Sequence, residues 1–209
     1  MISVPRLYAI VDAAFFSGTE EVAGFAEELV AGGCTLLQYR NKSGNARLML
    51  DQAWELRRQS RARAPAPHVR FIMNDRADLC LAAEFDGVHV GQDDLSPESV
   101  RSIIGPGRWL GVSTHSPEQL QEADRTSADY LAIGPIFSTS SKDRPDPVVG
   151  LEGVCRARQL TRKPLVAIGG ITRANAASVI AAGADSVAVI SDLFREPRKS
   201  AEEFFRVLR

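Results

Sequence analysis

The sequence has few cysteines and no long apolar run, and these absences exclude several classes of protein. Its three cysteines, Cys34, Cys80 and Cys155, are far apart and never form a C-x-x-C pair. A disulfide framework and a zinc site are therefore not expected, and we predict that all three pack as small core residues. No apolar run reaches the roughly 18 residues that a membrane helix needs.

An excess of one charge sign is also absent. Lys and Arg number 25, Asp and Glu number 26, and the formal net charge is −1. This balance excludes the broad basic surface of a nucleic-acid-binding protein, although a local anion site stays open. Residues Met1–Asp12 lack the basic start and the cleavage site of a signal peptide. We therefore expect a cytoplasmic protein without nucleic-acid or membrane partners, and the sequence leaves a homo-oligomer open.

The sequence does contain a regular succession of short apolar runs. Eight runs predict strands at Leu7–Asp12, Thr35–Arg40, Arg70–Asn74, Gly87–Gly91, Trp109–Thr114, Tyr130–Gly134, Leu165–Gly169 and Ser186–Ser191. Most of these runs are apolar almost throughout, which is typical of parallel strands that helices cover on both faces. The segments between them have helical spacing, as in Glu20–Ala31, Arg47–Arg63 and Thr172–Ala182, and a last helix is expected near Ser200–Leu208.

Repeated strand–helix units predict an α/β fold with a parallel sheet. Eight units in 209 residues leave about 26 residues per unit, near the lower limit for a closed barrel. We therefore predict a (β/α)8 TIM barrel that forms a single domain over residues 1–209. An open doubly wound sheet is the rival, but the G-x-G-x-x-G turn of a dinucleotide site does not follow the first strand.

Charged residues collect where the predicted strands end, which is the active-site edge of such a barrel. Cations follow strand two and carboxylates follow strands three and four: Arg40, Lys42, Asp75, Asp93 and Asp94. Adjacent strands lie about 4.8 Å apart, so these side chains can converge. Because Mg²⁺ is usually held by one or two carboxylates plus substrate phosphates, the set predicts a diphosphate–magnesium site. A surface salt-bridge network, or a helix N-cap at residues 74–75, stays open.

A second anion site is predicted at the other side of the same edge. Gly169 and Gly170 follow strand seven and Ser191 ends strand eight, where many barrels bind a phosphate. The two glycines could also make only a tight turn. The loop from Ser138 to about Val149 is rich in hydroxyl groups and contains one lysine, so it is either a lid over phosphates or a plain surface loop.

The histidines give weaker signals. His89 lies inside strand four, where a packed core histidine is the more frequent role, and His115 follows strand five at the rim.

Seven segments together resemble the thiamine-phosphate synthase family, also called the thiamine-phosphate pyrophosphorylases. In the order of the chain they are Gln38-Tyr39-Arg40-Asn41-Lys42, Met73-Asn74-Asp75-Arg76, Gly87-Val88-His89-Val90-Gly91-Gln92-Asp93-Asp94, Gly111-Val112-Ser113-Thr114-His115, Gly134-Pro135-Ile136-Phe137, Thr139-Ser140-Ser141-Lys142 and Ala167-Ile168-Gly169-Gly170-Ile171. The likeness runs from strand one to strand eight without a large insertion.

The resemblance implies a reaction between two phosphorylated small molecules. In that family 4-amino-2-methyl-5-hydroxymethylpyrimidine diphosphate is joined to 4-methyl-5-(2-phosphooxyethyl)thiazole, which gives thiamine phosphate and pyrophosphate. The resemblance further implies a dissociative substitution assisted by Mg²⁺. The protein would then need to neutralise the leaving group more than it needs a strong base.

The resemblance also assigns expected roles to residues. The pyrimidine diphosphate would be bound by Gln38, Arg40, Lys42, Asn74, Ser113 and Lys142. The thiazole phosphate would be bound by Thr139, Ser141, Gly170, Ile190 and Ser191. The catalytic residues would be Arg40, Lys42, Ser113 and Lys142, and the Mg²⁺ ligands would be Asp75 and Asp94. Asp93 stands where the family often has Glu, and Ser141 stands where it commonly has Thr, with the hydroxyl group kept.

Two alternatives stay open on the sequence. A thiazole tautomerase of the same barrel family would use a histidine after strand five, and His115 stands there. It would not need Lys42, Asp75, Gln92 and Asp94, all of which are present. A phosphate-binding sensor without catalysis is the third class, and the complete magnesium–diphosphate set argues against it.

Overall fold

A computed structural model of the chain describes residues 2–62, 68–139 and 147–209. The strands are β1 Leu7–Asp12, β2 Leu36–Arg40, β3 Arg70–Asn74, β4 Gly87–Val90, β5 Trp109–Thr114, β6 Tyr130–Ile133, β7 Leu165–Ile168 and β8 Ser186–Val189. The α-helices are α1 Thr19–Ala31, α2 Ala46–Ala62, α3 Ala77–Ala82, α4 Pro97–Ile104, α5 Pro117–Asp124, α6 Gly150–Leu160, α7 Ala176–Ala181 and α8 Pro197–Val207. In these ranges no helix combines the length and apolar character needed to cross a membrane.

The eight strands form a closed parallel barrel. Each strand pairs with the next along the chain, and β8 pairs with β1. The predicted TIM barrel is therefore confirmed. Several strands end earlier than the apolar runs suggest, because the backbone turns at the rim. β7, for example, stops before Gly169, whose φ is +100°, and the three residues from Ser191 form a 3-10 turn after β8.

Alternation along the strands separates two hydrophobic clusters. Outward-facing residues such as Leu37 and Val187 pack beneath the helices. Inward-facing residues fill the barrel, and they include Tyr8, Ile72 and Tyr130. Burying one such large side chain contributes roughly 1.5–3 kcal/mol. The inner cluster fills the barrel below its C-terminal rim, so the space inside the barrel opens at that rim.

Local sequence explains the helix starts and one wrong prediction. The hydroxyls of Ser96 and Ser116 accept hydrogen bonds from backbone N–H groups of α4 and α5, each just before a proline. Cys34 and Cys80 are buried as predicted, but Cys155 is exposed. Cys155 lies on the solvent face of α6, so the prediction of three core cysteines is wrong there.

Candidate active site

An open cavity of about 140 Å³ lies at the C-terminal ends of the strands. This is roughly ten times the space that one water molecule needs. Eight of the residues with predicted roles line it: Gln38, Arg40, Asn74, Ser113, Thr139, Gly170, Ile190 and Ser191. Lys42, Asp75 and Asp94 do not line it. Ser141 and Lys142 lie outside the described residues.

Strand alternation explains why these side chains meet. Gln38 and Arg40 lie two positions apart on β2, and both side chains face inward with Asn74 at the end of β3 and Ser113 on β5. The wall between them is apolar and includes Ile10. The cavity therefore combines dry walls with a few convergent polar groups, as small-molecule sites do.

Arg40 is held by an aspartate that the sequence reasoning missed. Asp12, at the end of β1, is 2% exposed and forms an ion pair with Arg40. Its other oxygen accepts a hydrogen bond from the Ala14 N–H at 3.2 Å. This arrangement fixes the guanidinium at the cavity edge. The available signal was an acidic residue that ends an otherwise apolar strand.

Asn74 presents a donor without a partner. The side chain is 8% exposed, and its Nδ2 has no hydrogen-bond partner among the described residues. Buried amide groups are nearly always paired, so an unpaired one needs an explanation. Because Asn74 lines the cavity, its amide is available to an acceptor atom of a ligand.

Two carboxylates share the rim beside Asn74. Asp75 pairs with the Lys42 ammonium, and burial raises its pKa, helped by the neighbouring Asp94 and opposed by Lys42. Asp75 also has a φ of +63°, which is rare outside glycine and is common at functional sites. A pair of oxygen donors that repel each other fits a divalent cation of the magnesium type. No larger acidic or histidine cluster that could hold a metal occurs within the described ranges.

The two alternatives for this rim have different outcomes. Helix α3 begins after Arg76, which forms no side-chain cap, so the helix N-cap at residues 74–75 is wrong. The other alternative was a surface salt-bridge network, and one ion pair of that kind, Lys42–Asp75, is present. Asp94 accepts a hydrogen bond from the Gly91 N–H at 2.8 Å, and Asp93 is exposed. Asp94 is thus the carboxylate that faces Asp75.

The opposite side of the cavity is built from backbone. Gly170 has a φ of +64°, and a Cβ there would lie 2.6 Å from the carbonyl oxygen of Ser138. Only glycine fits this position. The amide of Asn175 donates to the Gly170 carbonyl at 3.1 Å and accepts from the Thr172 N–H at 2.8 Å. For this reason α7 begins later than the predicted Thr172.

Comparison with known proteins identifies the family. The family model described as thiamine monophosphate synthase matches residues 7–193. This chain belongs to that family. The resemblance seen in the sequence is therefore confirmed, and with it the expectation of an enzyme, a transferase of thiamine biosynthesis.

Individual family members cover nearly the whole chain. A thiamine-phosphate synthase of Koribacter versatilis is 60% identical over 210 residues, which is 99% of this chain and 97% of the relative. One of Chloroflexus aurantiacus is 46% identical over 186 residues, 89% of this chain and 83% of the relative. The solved thiamine phosphate pyrophosphorylase of Pyrococcus furiosus superposes with a TM-score of 0.84 at 34% identity, over 97% of this chain and 95% of that one. All three relatives carry the name of the synthase or pyrophosphorylase, which does not favour the tautomerase alternative.

Two histidines of this family member touch the cavity. His89 is 7% exposed and faces the barrel interior, as a packed core histidine does. Burial lowers its pKa to about 4, although the Asp94 carboxylate opposes the shift. It nevertheless lines the cavity, which the sequence did not predict. His115 lines the cavity as well, and its Nδ1 lies 2.6 Å from the carbonyl oxygen of Gly134.

Proposed function

We propose that this protein is a thiamine-phosphate synthase acting on the pyrimidine diphosphate and the thiazole phosphate named above. One observation carries the proposal: a single cavity is lined on one side by cationic and amide donors and on the other by a glycine-rich backbone turn. Two phosphorylated substrates can bind there with their rings against the apolar wall. Membership of the family supports the same reading.

The proposed chemistry is a substitution at the methylene carbon of the pyrimidine. The carbon–oxygen bond breaks and pyrophosphate leaves with the electron pair. The thiazole nitrogen then supplies its lone pair and forms the new carbon–nitrogen bond. Such a reaction needs stabilisation of the leaving charge and alignment of two substrates, which is worth several kcal/mol.

Residues of the polar side would stabilise the leaving diphosphate. Arg40 and Lys42 supply positive charge, and Asn74 and Ser113 supply hydrogen-bond donors. Lys142, which lies outside the described residues, is expected to add a third cation. Asp75 and Asp94 would hold Mg²⁺, which when bound neutralises phosphate charge.

The backbone side would position the second substrate. Gly170 and Ser191 would offer N–H groups to the thiazole phosphate, Thr139 would offer a hydroxyl, and Ile190 would lie against it. Ser141, outside the described residues, is expected to offer a second hydroxyl. Holding the thiazole nitrogen against the pyrimidine carbon makes the bond-forming step effectively unimolecular. A cytoplasmic location and self-association stay predictions.

Pyrophosphate release tests this function. Purified protein is mixed with both substrates and Mg²⁺, and pyrophosphate and thiamine phosphate are measured together. We expect both products in equal amounts, no release when either substrate is omitted, and loss of activity with a chelator. Absence of release with both substrates and Mg²⁺ would contradict the proposal. Conversion of a thiazole carboxylate phosphate to its tautomer, without release, would instead support the tautomerase.

A further inference from the structure

Five side chains from five strands form one continuous row of hydrogen bonds along the floor of the cavity. The Gln38 Nε2 lies 2.9 Å from the Tyr8 hydroxyl, which lies 3.0 Å from the Tyr130 hydroxyl. The Tyr130 hydroxyl lies 3.1 Å from the Nδ1 of His89, whose Nε2 lies 2.8 Å from the Ser113 hydroxyl. Gln38 and Ser113, at the two ends, both line the cavity, and so do Tyr8 and His89.

The row needs a glycine at position 111, because a side chain there would collide with it. A Cβ on residue 111 would lie 2.4 Å from the His89 Nδ1 and 2.1 Å from the Tyr130 ring. Gly111 is therefore required where the histidine and the tyrosine meet. The row also crosses from β2 through β1, β6 and β4 to β5, so it depends on the closed barrel.

The orientation of the Gln38 amide and the number of protons together determine the direction of the row. The Gln38 Nε2 donates to Tyr8, whose hydroxyl has a single proton of its own. Within the described residues, Tyr130 is the one other hydrogen-bond partner of that hydroxyl. Tyr8 therefore donates to Tyr130, and Tyr130 donates to the His89 Nδ1. The His89 proton then lies on Nε2 and is donated to Ser113.

With the Gln38 Nε2 toward Tyr8, other arrangements leave a buried proton without an acceptor in the row. If Tyr130 donated to Tyr8, the Tyr8 hydroxyl would accept twice, and its own proton would have no acceptor among the described residues although Tyr8 is 1% exposed. A doubly protonated His89 has the same consequence, because Tyr130 would then have to donate toward Tyr8. Leaving a buried donor unpaired is costly. The reverse direction requires the Gln38 amide to turn its Oε1 toward Tyr8.

We propose that the row is directional and that Tyr8, Tyr130 and His89 are positioning residues, which set an acceptor at Gln38 and a donor at Ser113. The Gln38 amide bonds to Tyr8 through Nε2, and among the described residues no donor is assigned to its Oε1, which can accept from a ligand N–H. At the other end, the Ser113 oxygen accepts from His89, so its own proton points to a ligand oxygen. This inference rests on the proposed function, in which an aminopyrimidine and its diphosphate supply those two groups.

The tautomer of His89 tests the direction without any assay of activity. Nitrogen-15 NMR of the unliganded protein distinguishes protonated from unprotonated ring nitrogens, and His68→Gln and His115→Gln variants assign the His89 signals. We expect the proton on Nε2 alone at neutral pH. A proton on Nδ1 alone, or on both nitrogens, would overturn the proposal. This result stands even if pyrophosphate release fails, so the two proposals can fail separately.

A double-mutant cycle tests whether Tyr130 acts through Ser113. The hydroxyl of Tyr130 bonds to Tyr8 and His89, not to Ser113. We expect Tyr130→Phe to lower kcat/KM for the pyrimidine diphosphate about tenfold in the parent, and less than about twofold in a Ser113→Ala background. Equal factors in both backgrounds would contradict the coupling.

The control for this cycle is Tyr39→Phe. Tyr39 is equally buried, and its hydroxyl donates to Gln52 at 2.5 Å, outside the row. Its effect on kcat/KM should be the same in both backgrounds. If Tyr130→Phe does not fold, Tyr8→Phe replaces it: the Gln38 amide is then unanchored, and KM for the pyrimidine diphosphate should rise while His89 keeps its Nε2 proton. An unchanged KM would contradict the anchoring role.

Discussion

Single residues at the cavity carry costs that folding alone does not explain. The Asn74 amide is buried without a partner among the described residues, and Asp75 adopts a positive φ beside a second carboxylate. Features of this kind destabilise a protein, typically by about 1–3 kcal/mol each. They are understandable if a ligand supplies the missing partner.

Asn74→Leu separates binding from stability. The leucine removes an unpaired amide, so the free energy of unfolding should stay within about 1 kcal/mol of the parent or increase. The KM for the pyrimidine diphosphate should rise about tenfold, because a donor is lost. Chemical denaturation and steady-state kinetics measure the two effects. Asn41→Leu is the control. Asn41 forms three hydrogen bonds, so that variant should be clearly destabilised. Equal destabilisation by the two variants would contradict the account.

Asp94→Asn tests the paired carboxylates. A raised pKa means that folded Asp75 holds its proton to higher pH than the unfolded chain does, so stability is lost as pH rises through that folded value. Without the Asp94 charge the pKa of Asp75 should fall, and the stability lost as the pH rises above the ordinary titration range of an aspartate should shrink. The asparagine can still accept from Gly91. Activity should fall about a hundredfold, because the proposed Mg²⁺ site would lose one of its two charges.

The exposed neighbour provides the control for that experiment. Asp93→Asn removes the same charge one residue away. It should leave both the pH dependence of unfolding and the activity close to those of the parent. Equal effects of the two variants would show that the choice of Asp94 is wrong.

At the scale of elements, the loops after β7 and β8 are tied together by one arginine. Arg173 pairs with Asp192 through Nε at 3.0 Å and Nη2 at 3.1 Å, and it also pairs with Glu203 of α8. Its backbone N–H donates to Asp192 at 2.8 Å. The predicted phosphate residues Gly170 and Ser191 lie on these two loops, so the arginine sets their separation.

Arg173→Ala should therefore loosen the second substrate site. We expect KM for the thiazole phosphate to rise several-fold while KM for the pyrimidine diphosphate stays unchanged, with a stability loss of about 1 kcal/mol. Arg156→Ala is the control, since Arg156 pairs with Glu152 along the exposed face of α6, and such pairs contribute little. An equal rise in both KM values for Arg173→Ala would contradict a local role.

Elements were predictable where a single pattern decides them. The apolar runs located all eight strands, because strands covered on both faces are apolar throughout. The start of α7 could not be predicted, because it depends on how the Asn175 amide bonds to the preceding turn. The Cys155 prediction failed because α6 is short and amphipathic, and its sequence does not show whether residue 155 faces the core or the solvent.

At the scale of the whole molecule, the same apolar strands conceal part of the site. A run such as Leu7–Asp12 gives no sign of which residues face inward, so the roles of Asp12 and Tyr8 could not be predicted. The polar rim could be predicted, because charged residues at strand ends stand out in the sequence whichever strand residues face inward. The net charge of −1 likewise excludes a basic surface but says nothing of local cations such as Arg40.

The central claim is that the polar side of the cavity binds a magnesium diphosphate. A crystal structure of the protein with pyrophosphate and Mg²⁺ tests it most directly. We predict the metal at Asp75 and Asp94, and diphosphate oxygens within hydrogen-bond distance of the Asn74 amide and the Ser113 hydroxyl. Pyrophosphate bound elsewhere, or bound with the Asn74 amide still unpaired and no metal at the two carboxylates, would contradict the account.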